Sequence, residues 1–299
     1  MKKIGIIGLG TITKHYLKGL EKSEYFTLAA VCDLSENAPQ RKTYQAYPFY
    51  SDYIEMIRRE NLDYVVVATP PSTHYEISLN ALKNGANVIV EKPATTDMER
   101  YKTLIKTAKE NGVTFEVMFH WQTGEEVVQF NRLYDKKNIE KIFVEVLDPY
   151  VEKGSIKSEK VLLSGVWMDS GVNVLSMIKT WLNFDEIAIK NIQTKQCETT
   201  ALPTYIQLTG TVDGVEIEIV IDWTKGIDRK TTRLQYSGKE IVIDNSRQTI
   251  IDGDKQMRFD EMERLTRHYY NYFTGYKKAI SAEQGLKIHE FLFKVNERL

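Results

Sequence analysis

The sequence is poor in cysteine, has no excess of charge of either sign and lacks a metal-binding pattern. Cys32 and Cys197 are too few to build a disulfide framework, and no cysteine or histidine cluster has the spacing of metal ligands. Lysine and arginine total 40 against 41 aspartates and glutamates, so the net charge of -1 argues against nucleic acid or a polyanionic surface as a partner. We therefore expect no bound metal and a small molecule as the main partner.

Long hydrophobic runs are also missing. The chain passes from Met1-Lys2-Lys3 into an apolar segment of about six residues, whereas a membrane-spanning helix needs about 20. This difference predicts no signal peptide, no membrane contact and a cytoplasmic location. With 299 residues, 42% of them hydrophobic and 27% charged, the chain has the size and composition of a soluble protein with two domains.

Residues 1–119 alternate short segments rich in valine and isoleucine with segments of helical periodicity. The apolar segments predict strands at Ile4–Ile7, Leu28–Val31, Tyr64–Ala68, Val88–Val90 and Val113–Phe119. The periodic segments predict helices at Ile12–Lys22, Asp52–Glu60, Thr73–Asn84 and Asp97–Asn111. This order is typical of α/β proteins with a doubly wound parallel sheet, so we predict a Rossmann domain over residues 1–119.

Residues 120–299 follow a different pattern. Helical periodicity at Glu125–Tyr134 and Val166–Leu182 precedes alternating residues with hairpin turns such as Asp213-Gly214. Consecutive antiparallel strands predict an open sheet, which two terminal helices follow at Asp260–Ala282 and Glu283–Leu299. We predict an α+β domain that binds the substrate and forms a homo-dimer or homo-tetramer through its sheet, because an open sheet face needs a cover.

Gly8-Leu9-Gly10 lies between the first predicted strand and the first predicted helix, where a glycine-rich turn can bind the pyrophosphate of a dinucleotide. Gly8 allows the tight turn, and Gly10 lets the backbone approach the pyrophosphate at the helix N-terminus. Thr11 and Ile12, at the start of that helix, are assigned to the same cofactor site. The alternative is a plain strand–helix turn, because Thr13 stands where the motif has its third glycine.

Asp33 ends the second predicted strand, 25 residues after Gly8. A carboxylate at this point can accept hydrogen bonds from both ribose hydroxyls and repels a 2′-phosphate, so Asp33 favours NAD over NADP. Two alternatives stay open. Asp33 could be a turn or N-cap residue, and Arg41 or Lys42 could fold back to hold a phosphate.

Thr69, Pro70 and His74 follow the strand predicted at Tyr64–Ala68, at the carboxyl edge of the sheet where ligands bind. Backbone and hydroxyl groups there are placed to hold the nicotinamide end of the cofactor. His74 is equally consistent with a residue of the first helical turn that contacts only the loop.

Glu91-Lys92-Pro93 follows the next strand, and its proline cannot continue a strand ladder, so the chain leaves the sheet there. Pro93 favours an extended Lys92 that projects from the sheet edge. A lysine ammonium there can hydrogen-bond a substrate hydroxyl and stabilise the alkoxide that develops as hydride leaves. We assign Glu91 and Lys92 to the cofactor site, and Lys92 also to catalysis and substrate binding; a solvated lysine is the alternative.

In the second domain, Asp169 and Asn173 stand four residues apart in a segment that is apolar on nearly every side. If the segment is helical, both side chains share one face. A buried carboxylate without partners costs roughly several kcal/mol, so the pair must face a polar cleft or a cation. Lys92 is the expected cation, across a cleft between the domains. The alternative is an N-cap aspartate beside a satisfied asparagine.

His120 and Trp121 follow the last strand predicted in the first domain. His120 could bind a sugar hydroxyl while Trp121 offers a flat apolar face to a pyranose ring, which would add both to the substrate site. A core histidine next to an aromatic residue is equally consistent. A further aromatic cluster predicts helix packing rather than a binding surface: Tyr269, Tyr270, Tyr272 and Phe273.

The Gly8/Gly10 turn, Thr69-Pro70 with His74, and Val90-Glu91-Lys92-Pro93 together resemble the Gfo/Idh/MocA oxidoreductases. The resemblance implies a Rossmann domain followed by an α+β domain with an open antiparallel sheet. Many members carry Asp-x-Gly-x-His in the second domain, whereas Asp169-Ser-Gly-Val-Asn173 has asparagine in place of the histidine. In this respect the sequence resembles the branch of aldose 1-dehydrogenases that act on D-galactose or L-arabinose.

This resemblance implies an NAD(P)-dependent dehydrogenase that oxidises a sugar hydroxyl, with C1 of an aldopyranose as the expected position and a lactone as the product. Asp169 would take the hydroxyl proton, Lys92 would stabilise the oxyanion and Asn173 would orient the substrate. Asparagine does not exchange protons near neutral pH, so it cannot replace a histidine base. An inositol or polyol dehydrogenase of the same family and a non-catalytic sugar or nucleotide sensor are the alternatives.

Overall fold

The computed structural model describes residues 1–260, 262–275 and 280–299. The chain forms two compact units, the first from residues 1–119 and 263–286 and the second from residues 120–262 and 287–299. Residues 263–286, which the sequence analysis places in the second domain, therefore pack with the first unit. No helix in the described part of the chain is long and apolar enough to cross a membrane.

The strands of the described residues are, in chain order, β1 Lys2–Ile7, β2 Phe26–Cys32, β3 Phe49–Tyr50, β4 Tyr64–Val67, β5 Asn87–Glu91, β6 Phe115–Met118, β7 Ile139–Leu147, β8 Val151–Glu152, β9 Ser155–Ile156, β10 Ile187–Gln196, β11 Pro203–Val212, β12 Val215–Asp222, β13 Arg229–Tyr236, β14 Lys239–Asp244, β15 Thr249–Asp252, β16 Lys255–Arg258 and β17 Ile280–Ser281. The α-helices are α1 Leu17–Leu20, α2 Tyr53–Glu60, α3 Pro71–Lys83, α4 Met98–Glu110, α5 Glu125–Leu133, α6 Ser158–Val161, α7 Val172–Ile178, α8 Arg264–Phe273 and α9 Ala282–Asn296. Two 3₁₀ turns, Thr11–His15 and Lys136–Asn138, and a π-helical turn, Trp167–Gly171, complete the elements.

The sheet of the first unit has the strand order β17-β6-β5-β4-β1-β2-β3. All neighbouring pairs are parallel except β17, which is antiparallel to β6. The order reverses beside β1, as in a doubly wound fold, so the ends of β1 and β4 lie at the point where such sheets bind ligands. The predicted strands of this unit and its parallel sheet are confirmed.

The prediction of one continuous helix at Ile12–Lys22 is wrong. The chain instead makes a 3₁₀ turn followed by the four-residue helix α1. Two causes are visible: Thr11, Ile12 and Thr13 are β-branched, which disfavours a helix, and the Thr13 hydroxyl donates a hydrogen bond of 2.9 Å to the Gly10 carbonyl. The tight first turn results from this local hydrogen bond.

Helix α8 packs on the first unit through aromatic side chains. The ring centroids of Tyr16 and Tyr269 are 4.4 Å apart, and those of Tyr16 and Phe273 are 5.7 Å apart. A Cβ atom at Gly19 would lie 2.9 Å from the Tyr269 carbonyl oxygen, so glycine permits this close approach. The packing interpretation of the aromatic cluster is confirmed. The predicted helix Asp260–Ala282 ends early, since β17 follows; residues 261 and 276–279 lie outside the described residues.

The main sheet of the second unit has the order β10-β11-β12-β7-β13-β14-β15-β16. Neighbours are antiparallel apart from the parallel pair β7 and β12. Asp213 and Gly214 both have positive φ and form the hairpin predicted between β11 and β12. Burial alternates along β11, so one face carries the core and the other is partly exposed. The predicted antiparallel sheet domain is confirmed.

Candidate functional site

The glycine turn of the first unit depends on contacts that glycine permits. Gly8 has φ +95°, and a Cβ atom there would lie 2.7 Å from the carbonyl carbon and oxygen of Ala68, just after β4. Gly10 has an ordinary extended backbone, and a Cβ atom there would meet nothing within 4 Å. The turn is therefore packed against the sheet at Gly8 and open at Gly10, where such turns receive a pyrophosphate.

Thr13 fills the third glycine position of the motif and is fully buried. Its main-chain N–H donates to the Gly10 carbonyl, which starts the 3₁₀ turn. Because this is the first hydrogen bond of the turn, the N–H groups of Thr11 and Ile12 have no acceptor within it. Both are therefore suited to binding an oxyanion, in agreement with their assignment to the cofactor site.

The Asp33 carboxylate is anchored at the glycine turn. Oδ2 accepts a hydrogen bond of 2.8 Å from Leu9 N, and Oδ1 accepts one of 3.0 Å from Ser35 N. A carboxylate can accept about four hydrogen bonds, so about two positions remain for ribose hydroxyls. The turn role considered for Asp33 is therefore real, and it leaves room for the cofactor role.

His74 joins two loops at the carboxyl edge of the sheet. Its Nε2 lies 2.7 Å from the Thr69 carbonyl oxygen and its Nδ1 lies 2.8 Å from the Pro93 carbonyl oxygen. Burial lowers the pKa of His74, whereas the two carbonyl groups act in the opposite direction. Since both ring nitrogens contact the main chain, His74 holds the Thr69 loop to the segment after Lys92. This arrangement supports the loop alternative rather than a direct contact with nicotinamide.

Glu91 is buried, and its Oε1 accepts hydrogen bonds from the hydroxyls of Tyr16, at 2.6 Å, and Tyr269, at 2.5 Å. Burial raises the pKa of Glu91, and the two tyrosines and Lys92 oppose the rise. The Lys92–Pro93 peptide bond is cis, and Lys92 itself is half-buried. Glu91 therefore anchors the chain next to Lys92. Its carboxylate lies beside the proposed cofactor site but already accepts hydrogen bonds from two tyrosines.

Asp169 and Asn173 are 9% and 7% exposed in the second unit. Asp169 lies in the π-helical turn and Asn173 in α7, so the single helix predicted over Val166–Leu182 has two parts. Asn173 Nδ2 donates a hydrogen bond of 3.2 Å to the Asp169 carbonyl oxygen, which fixes the orientation of the amide. Asn173 Oδ1 is buried and has no hydrogen-bond partner among the described residues. It can therefore accept a hydrogen bond from a substrate hydroxyl.

A glycine and a tryptophan shape this π-helical turn. A Cβ atom at Gly171 would lie 2.6 Å from the Trp167 ring, and the Trp167 indole N–H donates a hydrogen bond of 2.8 Å to the Leu292 carbonyl oxygen. π-Helical turns are rare and frequently occur at functional sites. The sequence offered a hint in Gly171, which stands inside an otherwise helical segment.

Three charged groups near this turn were not predicted. Asp148, directly after β7, pairs with Lys230 in β13, at 2.9 Å between Nζ and Oδ1, and accepts a hydrogen bond from Ser170. Lys230 also pairs with Asp228. These residues are brought together by the pairing of β7 with β13, which no local sequence pattern reveals.

His120 and Trp121 differ from what the sequence suggested. Trp121 is 2% exposed, so its ring is packed inside the protein and presents no open face to a pyranose ring. His120 is also buried, and its carbonyl oxygen accepts a hydrogen bond of 3.2 Å from the Thr123 hydroxyl. The burial of Trp121 fits the core alternative, and its assignment to the substrate site stays a prediction.

The described residues contain no metal-binding cluster, and a cavity beside α5 has none of the candidate residues in its lining. No three histidine, cysteine, aspartate or glutamate side chains of the described chain are arranged to hold a metal ion. A cavity of 520 Å³ between the ends of α5 and α7 is lined by Asn131, Lys136, Lys179, Trp181 and their neighbours, and it contains none of the candidate residues. The candidate chemistry therefore lies elsewhere than in this cavity.

Residues 2–119 match the Gfo/Idh/MocA family model, described as an oxidoreductase family with an NAD-binding Rossmann fold. Among curated proteins, the inositol 2-dehydrogenase/D-chiro-inositol 3-dehydrogenase of Lactiplantibacillus plantarum is 31% identical over 138 residues. The match covers 44% of this chain and 39% of that protein, so the chain spans about two fifths of the length of this relative. The match to the family model lies in the first domain.

Solved structures extend the likeness to both domains at the level of fold. KijD10, a 3-ketoreductase from Actinomadura kijaniata solved with NADP and TDP-benzene, has a TM-score of 0.83 at 18% identity and covers 99% of this chain and 97% of its own. GenD2 from gentamicin A biosynthesis, solved with NAD, has a TM-score of 0.81 at 17% identity and covers 98% and 92%. The predicted combination of a Rossmann domain with a C-terminal antiparallel sheet domain is confirmed.

Proposed function

We propose that the chain is an NAD(P)-dependent dehydrogenase that oxidises a hydroxyl of a sugar or cyclic polyol, because residues 2–119 match the model of the Gfo/Idh/MocA oxidoreductase family with its NAD-binding Rossmann fold. The observation that carries the substrate class is Asn173 Oδ1, a buried acceptor without a partner in the described chain, one turn after the Asp169 carboxylate. A hydroxyl-rich ligand supplies the donor that this oxygen lacks.

The first unit has the groups that a dinucleotide needs. The open side of the turn at Gly10 leaves space for a pyrophosphate, and the N–H groups of Thr11 and Ile12, which have no acceptor within the turn, can donate hydrogen bonds to it. Asp33 keeps acceptor positions for ribose hydroxyls, and its charge disfavours a 2′-phosphate, so we propose NAD as the better cofactor. When bound, the cofactor accepts a hydride from the substrate carbon.

Three side chains have roles in this proposal. The Lys92 ammonium donates a hydrogen bond to the substrate oxygen and stabilises its negative charge. The Asp169 carboxylate accepts the hydroxyl proton, and Asn173 orients the substrate by accepting a hydrogen bond from a second hydroxyl. The Asn173 amide does not titrate near neutral pH, so a base at that position is excluded and proton transfer depends on Asp169, Lys92 or water.

Two positions of oxidation are supported by different observations. Asparagine at position 173 favours C1 of an aldopyranose, with a lactone as product, because of the resemblance to aldose 1-dehydrogenases. The similarity of the chain to an inositol dehydrogenase over 138 residues favours a ring carbon of a cyclic polyol, with a ketone as product. We propose the aldose and keep the polyol as the second candidate.

A substrate panel tests the function and separates the two candidates. D-Galactose, L-arabinose, myo-inositol and scyllo-inositol are each supplied with NAD or NADP, and the absorbance of the reduced nicotinamide is followed. Hydroxylamine then traps a lactone as a hydroxamate, whereas an inositol product gives an oxime. Reduction with an aldose and a hydroxamate product support the proposal; no reduction with any compound contradicts it and favours a sensor, for which a ligand-induced rise in Tm is the readout.

We also propose a homo-dimer or homo-tetramer formed through the partly exposed face of the second sheet. Phe143 in β7 lies on this face, and the Arg233 guanidinium lies 4.4 Å from its ring centroid. An aromatic residue and an arginine are enriched in protein interfaces. Light scattering should give a multiple of 34.6 kDa, and Phe143→Lys should shift the protein toward the monomer; a monomeric wild-type protein contradicts this proposal.

A further inference from the structure

Asp148 is 4% exposed and both of its carboxylate oxygens contact neighbours from different elements. Oδ2 accepts a hydrogen bond of 3.1 Å from the Ser170 hydroxyl, next to Asp169 in the π-helical turn. Oδ1 lies 2.9 Å from the Lys230 ammonium in β13. The sheet is therefore connected to the turn through one buried carboxylate.

Charge also links Asp148 to Asp169. Burial raises the pKa of Asp148, the Lys230 ammonium opposes the rise, and the charge of Asp169 adds to it. Burial lowers the pKa of Lys230, but Asp148 and Asp228 more than compensate, so Lys230 stays protonated. The Lys230 ammonium thus lies against Asp148, which is close enough to Asp169 for the two carboxyl groups to interact.

A π-helical turn needs such external contacts because its wide hydrogen-bond pattern is intrinsically less favourable than an α-helix. Trp167 anchors the first residue of the turn to the Leu292 carbonyl, and Asn173 holds the Asp169 carbonyl. Ser170 supplies the contact to the sheet. Loss of the Ser170 contact would remove the hydrogen bond that ties the turn, and with it the backbone of Asp169, to the sheet.

We infer that Asp148 and Lys230 are positioning residues that hold Ser170 and thereby orient the Asp169 carboxylate for proton transfer. This inference rests on the proposed role of Asp169 as proton acceptor. Neither Asp148 nor Lys230 needs to touch the substrate, since both act through the turn. Correct placement of a reacting group is worth large factors in rate, and a displacement of about 1 Å can cost about 100-fold.

The test uses Ser170→Ala, with Ser176→Ala as the matched control. Ser176 is also a buried serine near the site, but its hydroxyl donates to the Asn173 carbonyl oxygen of its own helix rather than to the sheet. A second pair compares Lys230→Met, which removes the ammonium, with Lys230→Arg, which keeps a positive charge beside Asp148. Tm values establish that each variant is folded before it is used.

Hydrogen exchange by mass spectrometry and steady-state kinetics supply the readouts. We expect peptides that span Trp167–Asn173 to exchange about fivefold faster or more in Ser170→Ala and Lys230→Met, with little change in Ser176→Ala and Lys230→Arg. We expect kcat to fall about tenfold in the first two variants while KM and the Kd for NAD stay within about twofold.

The outcomes separate this inference from the proposed function. Unchanged exchange in the turn, or faster exchange with an unchanged kcat, overturns the positioning role of Asp148 and Lys230. If the wild-type protein oxidises no compound of the panel, the proposed function fails, and the exchange comparison alone then decides whether the pair holds the turn.

Discussion

Tyr269 donates a hydrogen bond of 2.5 Å from its hydroxyl to Glu91 Oε1, although the two residues are 178 positions apart in the chain. Tyr16 donates to the same oxygen, so helix α8 and the segment after the glycine turn meet at the residue that precedes Lys92. Burial raises the pKa of both phenols well above the usual value, and the Glu91 charge adds to this rise. Both tyrosines therefore remain donors over the working pH range.

Tyr269→Phe removes one of these donors and keeps the ring that packs on Tyr16. We expect the free energy of unfolding to fall by about 1–3 kcal/mol, because a buried carboxylate loses a hydrogen bond. Urea denaturation measures the change. Tyr270→Phe is the matched control on the same helix, where a change within about 0.5 kcal/mol is expected. Equal effects of the two substitutions would contradict the importance of the Glu91 contact.

Glu91→Gln should change how stability depends on pH. Burial raises the folded-state pKa of Glu91 above its ordinary value of 4.5, so the folded protein binds this proton more tightly than the unfolded chain. The free energy of stabilisation that comes from this tighter proton binding is fully present below pH 4.5, and it is lost as the pH rises through the folded-state pKa of Glu91. Relative to the wild type, Glu91→Gln should therefore gain stability as the pH rises from about 4 to about 8. A pH-independent difference between the two proteins would contradict the raised pKa.

Gly8→Ala and Gly10→Ala should separate folding from cofactor binding. Alanine at position 8 meets the Ala68 carbonyl in a left-handed backbone, so we expect a loss of more than about 1 kcal/mol of stability. Alanine at position 10 meets nothing in the protein, so the Tm should stay close to that of the wild type while NAD binding weakens. Calorimetric titration with NAD measures binding, and unchanged affinity in Gly10→Ala would place the pyrophosphate elsewhere.

Lys92→Met should leave NAD binding intact and lower kcat by about 100-fold or more, because the oxyanion loses its charged donor. Methionine keeps an unbranched chain of similar length without the ammonium. NAD affinity by titration and kcat on the best substrate of the panel are the two measurements. An unchanged kcat would remove Lys92 from the catalytic assignment.

Asp33→Asn tests the choice between NAD and NADP. The amide oxygen can accept one of the two N–H hydrogen bonds, from Leu9 or Ser35, that the carboxylate accepts, and the negative charge that repels a 2′-phosphate is removed. We expect the ratio of kcat/KM for NAD to that for NADP to fall by about tenfold, as the energy of one charge–charge contact suggests. An unchanged ratio would mean that another residue near the ribose sets the preference.

The sequence predicts the parallel sheet of the first unit well because its strands are buried on both faces and its turns carry glycine at fixed positions. It also predicts the hairpin at Asp213-Gly214, because an Asp-Gly pair favours the positive φ values of a tight hairpin turn. The contact of Glu91 with Tyr269 cannot be predicted in this way, since it depends on where a distant helix packs. The pair Asp148–Lys230 follows from strand pairing, which also lies beyond local patterns.

The residues of the candidate site likewise divide into those that a local motif predicts and those that it does not. Lys92, Asp169 and Asn173 stand in recognisable motifs, and Gly8, Gly10 and Asp33 have the local geometry that the motif suggests. Trp121 and His74 were ambiguous in sequence because an aromatic or a histidine near a sheet edge fits a core position as well as a ligand contact. The burial of Trp121 favours the core position, and two main-chain carbonyls account for both nitrogens of His74.

The pairing of β17 with β6 means that the first unit of this chain is not encoded by one contiguous stretch of the gene. A fragment ending at residue 119 would leave the backbone of β6 without the Ile280–Val117 and Ser281–Glu116 partners, and Glu91 without its Tyr269 donor. An open strand edge of this kind invites pairing between molecules. An exchange of this unit with a relative would therefore have to move residues 1–119 and 263–286 together. A recombination point between these two stretches would separate parts of the same unit.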